Sequence, residues 1–156
     1  MAPFIASIDQ GTSSTRCIVF DREGTEVSSA QLEHQQFYPH PGWVEHDATQ
    51  IWDNVCECVR TALRAAHLGS SDLAAVGITN QRESTLVWNR HTGKPLHPLI
   101  VWNDTRTEDI CSKLKATGGI DRFRQRTGLP ISTYFSATKL LWLFENVSGL
   151  KDAAER

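Results

Sequence analysis

The sequence lacks most of the features that reveal a function early. It has no glycine-lysine-serine ending of a P-loop and no glycine spacing of a dinucleotide fingerprint. Its charge is nearly balanced, with 16 Lys and Arg against 18 Asp and Glu. That excludes the basic surface of a nucleic-acid binder. No apolar run approaches the length that spans a bilayer. The start, MAPFIASID, has no basic n-region and meets an acid at Asp9, so it does not read as a secretory signal. Repeats, charge blocks and low-complexity linkers are absent. The four cysteines, Cys17, Cys56, Cys58 and Cys111, form no C-x-x-C pair. His34, His40, His46, His67, His91 and His97 show no metal-ligand spacing. Reduced thiols of a cytoplasmic protein, with surface or structural histidines, are expected.

What is present suits a globular α/β protein. At 156 residues the chain fits one domain with a real core. Residues 3–9 and 15–20 read as strands joined by a tight loop, and a glycine turn at residues 21–24 leads into a third strand over 25–37. Strand, loop, strand, turn, strand is an antiparallel meander. Asp47 and Gln50 suggest a capping box for a long helix, whose stripe is Ile51, Val55, Val59, Ala62, Leu63 and Ala66 and whose end is Gly69. LAAVGIT reads as a buried strand, with STLVWN and PLIVW as two more. Thr105 and Glu108 suggest a second capping box, opening a helix to about Lys115. A last helix over 135–147 carries Leu140, Leu141, Phe144 and Val147 on one face. The sum is an α/β domain with a mixed sheet.

The chemistry concentrates at SIDQGTSSTR, residues 7–16. A Walker loop opens a helix, but here β-branched and apolar residues follow, so this loop joins two strands. A hairpin tip can still present N–H groups to an anion. Gly11 allows close approach of the backbone. Thr12, Ser13 and Ser14 can donate to phosphate oxygens, Arg16 adds charge, and Asp9 suits a Mg2+-bound water. The same residues also suit an ordinary polar turn. Taken alone, they leave both readings open.

Asp9-Gln10-Gly11-Thr12-Ser13-Ser14-Thr15-Arg16 resembles the first phosphate loop of the FGGY carbohydrate kinases. Four later blocks resemble their glycerol-phosphorylating branch in order: Gly42 to Asp47 (GWVEHD), Gly77 to Glu83 (GITNQRE), Ile100-Val101-Trp102 with Thr105-Arg106-Thr107, and Thr127-Gly128-Leu129-Pro130 through Ser132 to Leu140. The resemblance runs from about residue 5 to 148. Ala48, Ser84 and Asn103 depart from the commoner proline, threonine and glutamine.

This resemblance implies an actin-like, ribonuclease H-like ATPase fold, incomplete at its C-terminal end. It implies that residues 1–156 are the first part of the N-terminal domain, with the C-terminal domain absent. The implied reaction moves the γ-phosphate of MgATP to glycerol, giving glycerol 3-phosphate and ADP. Gly11, Thr12, Ser13, Ser14 and Arg16 would hold the phosphates and Asp9 the Mg2+. Arg82, Glu83, Trp102 and Tyr134 would contact glycerol. On the residues alone, Arg82 and Glu83 also read as a surface ion pair, and Trp102 and Tyr134 as core aromatics. The family's catalytic aspartate would lie beyond residue 156, leaving this chain inactive alone, and Asp104 and Asp121 fall outside the matching block. No nucleic acid or membrane partner is implied, and the full-length enzyme would be a homo-oligomer. A related sugar or polyol kinase and a non-catalytic binding module are the alternatives.

Overall fold

A computed structural model describes residues 4–154, which fall into two compact units. The first holds the residues up to Gln36 together with Asp47–Gln81, and the second Phe37–His46 together with the residues from Arg82 onward. The first position of the expected 3–9 strand lies outside the described residues.

In the first unit, β1 (Phe4–Gln10), β2 (Ser14–Phe20) and β3 (Glu26–Glu33) form the expected antiparallel meander. Strand alternation puts Ala6, Ile8, Cys17 and Val19 on one face, all buried. Helix α1 (Ala48–Ala65) covers that face with Val55, Cys58, Val59, Ala62 and Leu63. It starts where it does because the Asp47 carboxylate accepts from the N–H groups of Thr49 and Gln50, at 2.8 and 3.4 Å. The second half of the box is missing, since the Gln50 side chain instead accepts from the Gln35 N–H at 3.0 Å. Ala48 is the first helical residue, where proline is also welcome, so that departure has a simple cause. His67 turns left-handed at φ 55° and stops the helix before the glycine expected to close it.

A 3-10 turn at Ser70–Asp72 leads into β5 (Leu73–Asn80), which runs parallel to β1. The sheet order is β3-β2-β1-β5, so the sheet is mixed. The expectation of a buried strand here fails: Val76 is 50% and Ile78 74% exposed. Helix α1 packs chiefly on β1, β2 and β3, which leaves the edge strand bare. Apolar composition alone cannot distinguish the two situations.

In the second unit, β4 (Glu45–His46) pairs antiparallel with β6 (Leu99–Ile100). STLVWN is not a continuous strand. It makes single bridges, Thr85 with Ile100 and Trp88 with Pro95, because prolines at 95 and 98 cannot donate to a ladder. Helices α2 (Glu108–Ala116), α3 (Arg124–Thr127), α4 (Ser136–Asn146) and α5 (Leu150–Ala154) follow. Leu143 and Leu150 pack with Ile100, flanked by Leu140, Trp142 and Val147. The face of α4 differs from the expected one: Leu141 and Phe144 are exposed, and Thr138, Lys139 and Leu143 are buried. Thr105 is no cap either. Its hydroxyl donates to the Gly42 carbonyl at 3.1 Å, and Thr107 precedes α2. Gly42, at φ 78°, has no room for a Cβ beside that hydroxyl.

A buried charge cluster ties this unit together. Asp104, fully enclosed, accepts from the Val44 N–H at 2.6 Å and from the Arg106 backbone N–H and Nε, both at 2.9 Å. Arg106 Nη2 bridges Asp104 and Glu45, each at 2.8 Å. The guanidinium lies over the Trp43 ring, 3.9 Å from its centroid, and 4.7 Å from that of Trp142. Among the described residues no helix is long and apolar enough to cross a membrane.

Two substitutions test this account by urea denaturation. Asp47→Ala should cost about 1 kcal/mol, the value of an N-cap. Arg106→Met should cost about 3–5 kcal/mol, because it leaves buried carboxylates uncompensated.

Candidate functional site

The phosphate-type loop sits at the β1–β2 hairpin tip, wholly within the first unit. The Gly11 N–H donates to the Ser14 carbonyl at 2.8 Å, closing the turn. A Cβ on Gly11 would come within 3.2 Å of that oxygen, so the close approach favours glycine. Every loop carbonyl has a donor from this unit. Gln10 Nε2 donates to Gly11 O at 2.7 Å, Gln36 Nε2 to Thr12 O at 2.9 Å, and the His34 N–H to Ser13 O at 3.2 Å. Gln81 Nε2 adds a longer bond to Gly11 O at 3.4 Å. With its negative ends occupied, the loop does not repel an anion through free carbonyls.

Hydroxyls remain on the other side of the ledger. Ser13 is exposed, and Thr12 and Ser14 are partly so. Gln31 Nε2 donates to Ser14 Oγ at 2.9 Å, leaving that hydroxyl its own proton to donate. Asp9 and Arg16 are directly paired across β1 and β2 and both are exposed. Among the described residues no three His, Cys, Asp or Glu side chains group to hold a metal ion. A lone Asp9 therefore fits Mg2+ held mostly by water and phosphate oxygens, not a protein cage. Burial holds the His34 imidazole below its usual pKa, opposed in part by a hydrogen bond with the Thr12 backbone.

The second cluster lies within the second unit. Glu83 adopts φ 66°, a left-handed conformation that a glutamate enters only at a cost. Its carbonyl accepts from Ser136 Oγ at 3.3 Å and from Thr85 Oγ1 at 3.4 Å. The next residue, Ser84, receives the Trp102 N–H on its Oγ at 3.1 Å. Ser84 therefore positions Trp102, a task that a threonine hydroxyl would perform equally well. The Trp102 and Tyr134 rings meet edge-on, 5.8 Å apart at 64°. Ser84 and Ser136 thus tie the Glu83 backbone to the segments that carry Trp102 and Tyr134, and Arg82 is exposed beside Glu83 in the chain.

The sequence reading assigned no role to Ser84, Ser136, Gln36 or Lys139. Lys139 lies on the buried side of α4 with Thr138 and Leu143, away from the apolar face read from the sequence. Its side chain is fully buried, and Nζ donates to the carbonyls of Thr133 and Tyr134, both at 2.7 Å. Burial pulls its pKa down to about 8, opposed by the charges of Asp104 and Glu83 and by Cys111, and assisted by Arg106. Asp104 is sealed within the Arg106 cluster, and exposed Asp121 is held by Arg124 at 2.7 Å. Neither aspartate stands in the Trp102–Tyr134 cluster.

The mixed β3-β2-β1-β5 sheet makes this an α/β protein, and its structural neighbours among the FGGY kinases have the actin-like ATPase fold. The sequence matches the N-terminal domain of the FGGY family of carbohydrate kinases over residues 4–156, and the chain belongs to that family. It is 58% identical to glycerol kinase 2 of Streptomyces coelicolor over 98% of this chain and 30% of that protein. It is 54% identical to a glycerol kinase of Leifsonia xyli, over 100% of this chain and 31% of the other. The crystal structure of Plasmodium falciparum glycerol kinase with ADP superposes with a TM-score of 0.87 at 38% identity, covering 96% of this chain and 30% of that one. A xylulose kinase from Rhodospirillum rubrum gives 0.85 at 28% identity, over 96% and 30%. The chain thus spans about 30% of the length of the relatives it matches.

The buried lysine has a pH consequence. Its folded pKa, about 8, lies below the ordinary 10.5, so between these values the unfolded chain holds the proton more tightly. The cost of burying the charge is complete below pH 8 and is relieved as pH rises toward 10.5. The difference in stability between the wild type and Lys139→Met should therefore shift in favour of the wild type across that window. Chemical denaturation at several pH values measures it. Buried Cys17 and Cys58, whose thiols burial pushes up, give the opposite slope at alkaline pH but cancel in the difference.

Proposed function

We propose that this chain carries the phosphate loop and the polyol-binding segment of an ATP-dependent glycerol kinase. The observation that carries the reading is that the Glu83–Ser84 backbone and the Trp102–Tyr134 pair, from three blocks that resemble glycerol kinases, meet in one cluster. Glycerol is small and neutral, so a selective site needs paired hydrogen bonds and a shaped apolar wall. Arg82 donates to one hydroxyl, Glu83 accepts from its neighbour, and the Tyr134 phenol takes the third. Trp102 forms the wall against the carbon backbone.

The first unit handles the donor. Gly11, Thr12, Ser13, Ser14 and Arg16 would hold the β- and γ-phosphates of ATP, and Asp9 would help to hold Mg2+. The ion, when bound with ATP, offsets the charge that develops on the phosphates. A terminal hydroxyl oxygen of glycerol attacks the γ-phosphorus, the bond to the bridging oxygen breaks, and ADP leaves. The hydroxyl proton passes to a carboxylate. Asp104 and Asp121 are both engaged elsewhere, and we assign that role to polypeptide outside these 156 residues. Four free cysteines suit a reducing compartment, and we assign the enzyme to the cytoplasm.

A pentulose kinase shares the fold almost equally well, but at 28% sequence identity against 38% for the glycerol kinase structure. Calorimetric titration of the chain with glycerol and with xylulose separates the two. Glycerol should bind more tightly, and Tyr134→Phe or Glu83→Gln should each weaken it about 10- to 100-fold, as for loss of a hydrogen bond worth about 1.5–3 kcal/mol. Tighter binding of xylulose overturns the reading. Glycerol-dependent ADP release by the chain alone would overturn the assignment of the proton acceptor.

A further inference from the structure

Lys139 is a fully buried ammonium for which the proposed chemistry has no use. A methionine or leucine there would suit the apolar face beside Leu143 and avoid the desolvation cost. What the lysine supplies instead is a grip on two consecutive carbonyls, Thr133 O and Tyr134 O, each at 2.7 Å. From the other side, the Tyr134 N–H donates to Ser132 Oγ at 3.2 Å. The Tyr134 backbone is therefore pinned at both its N–H and its C=O. The residue nonetheless remains 41% exposed, with the ring edge-on to Trp102 at 5.8 Å and to Phe135 at 5.2 Å. A rigid backbone beneath an exposed ring is how a side chain is held ready for a ligand.

We propose that Lys139 is the positioning residue of the polyol site, fixing the Tyr134 ring against Trp102 by clamping the carbonyls of Thr133 and Tyr134. This rests on the reading of Tyr134 as a glycerol contact only for its functional consequence; the positioning itself is a property of the chain. Lys139 touches no substrate in this scheme and acts through Tyr134. The charged groups around it, Asp104, Glu83 and Arg106, belong to the same unit, and Asp104 and Arg106 are paired with each other.

The test is nuclear magnetic resonance on the 156-residue chain. In the wild type, through-hydrogen-bond coupling should join Lys139 Nζ to the carbonyl carbons of Thr133 and Tyr134. In Lys139→Met, the ring cross-peaks between Trp102 and Tyr134 should be lost while those between Trp43 and Trp142 persist. Lys139→Arg, which keeps the donors, should retain the Trp102–Tyr134 peaks. Glycerol affinity of Lys139→Met should fall about tenfold, the size expected when a contact is misplaced. Absence of the wild-type couplings overturns the proposal even if the methionine variant does not fold, and so do unchanged ring contacts in a folded Lys139→Met. A wild type that keeps the couplings and ring contacts but binds no glycerol supports the positioning role and overturns the glycerol reading.

Discussion

The second unit depends on one carboxylate that never meets water. Asp104 takes N–H groups from Val44 and from the backbone, Nε and Nη2 of Arg106. A buried charge left with fewer partners would cost several kcal/mol, so the positions of residues 44 and 106 are set together. The guanidinium extends the constraint to Glu45 and to the faces of Trp43 and Trp142. From that fixed point the chain passes back through Trp102, whose N–H finds Ser84. The proposed polyol cluster is therefore supported by an electrostatic core that contains none of its residues.

The two halves of the proposed chemistry have different physical styles. The phosphate loop is made of backbone, with each carbonyl occupied by a glutamine, a histidine N–H or a turn. Its side chains are short, so little rotamer entropy is lost in presenting them. The polyol cluster is made of large side chains on a strained or clamped backbone. Charged phosphates are recognised well by many small dipoles, whereas a neutral triol needs a few well-placed partners.

How much of this was legible in the sequence varied with the range of the interactions involved. The meander, its hairpin loop and α1 could be read because alternation and an Asp47 cap are local signals. The segment at residues 84–89 could not, because single bridges interrupted by proline carry no period. Thr105 resembled a cap until its hydroxyl was seen to serve Gly42, 63 residues away in sequence. The rotated face of α4 had the same origin: Lys139 is drawn inward by carbonyls that precede the helix. The proposed site residues were recognisable as a family pattern, but their supports, Ser84, Ser136 and Lys139, needed coordinates. Burial of β5 was misread because edge and centre strands share a composition.

Glu83 shows where selection and folding pull apart. At φ 66° glycine or asparagine would sit more easily, so the fold alone gives no reason for a glutamate. An engineer seeking a hardier protein would find this position early, and the change to glycine would relieve strain. It would also delete the carboxylate to which the proposed function gives a polyol hydroxyl. On that proposal, a search ranked by melting temperature would discard the residue that a search ranked by turnover would keep.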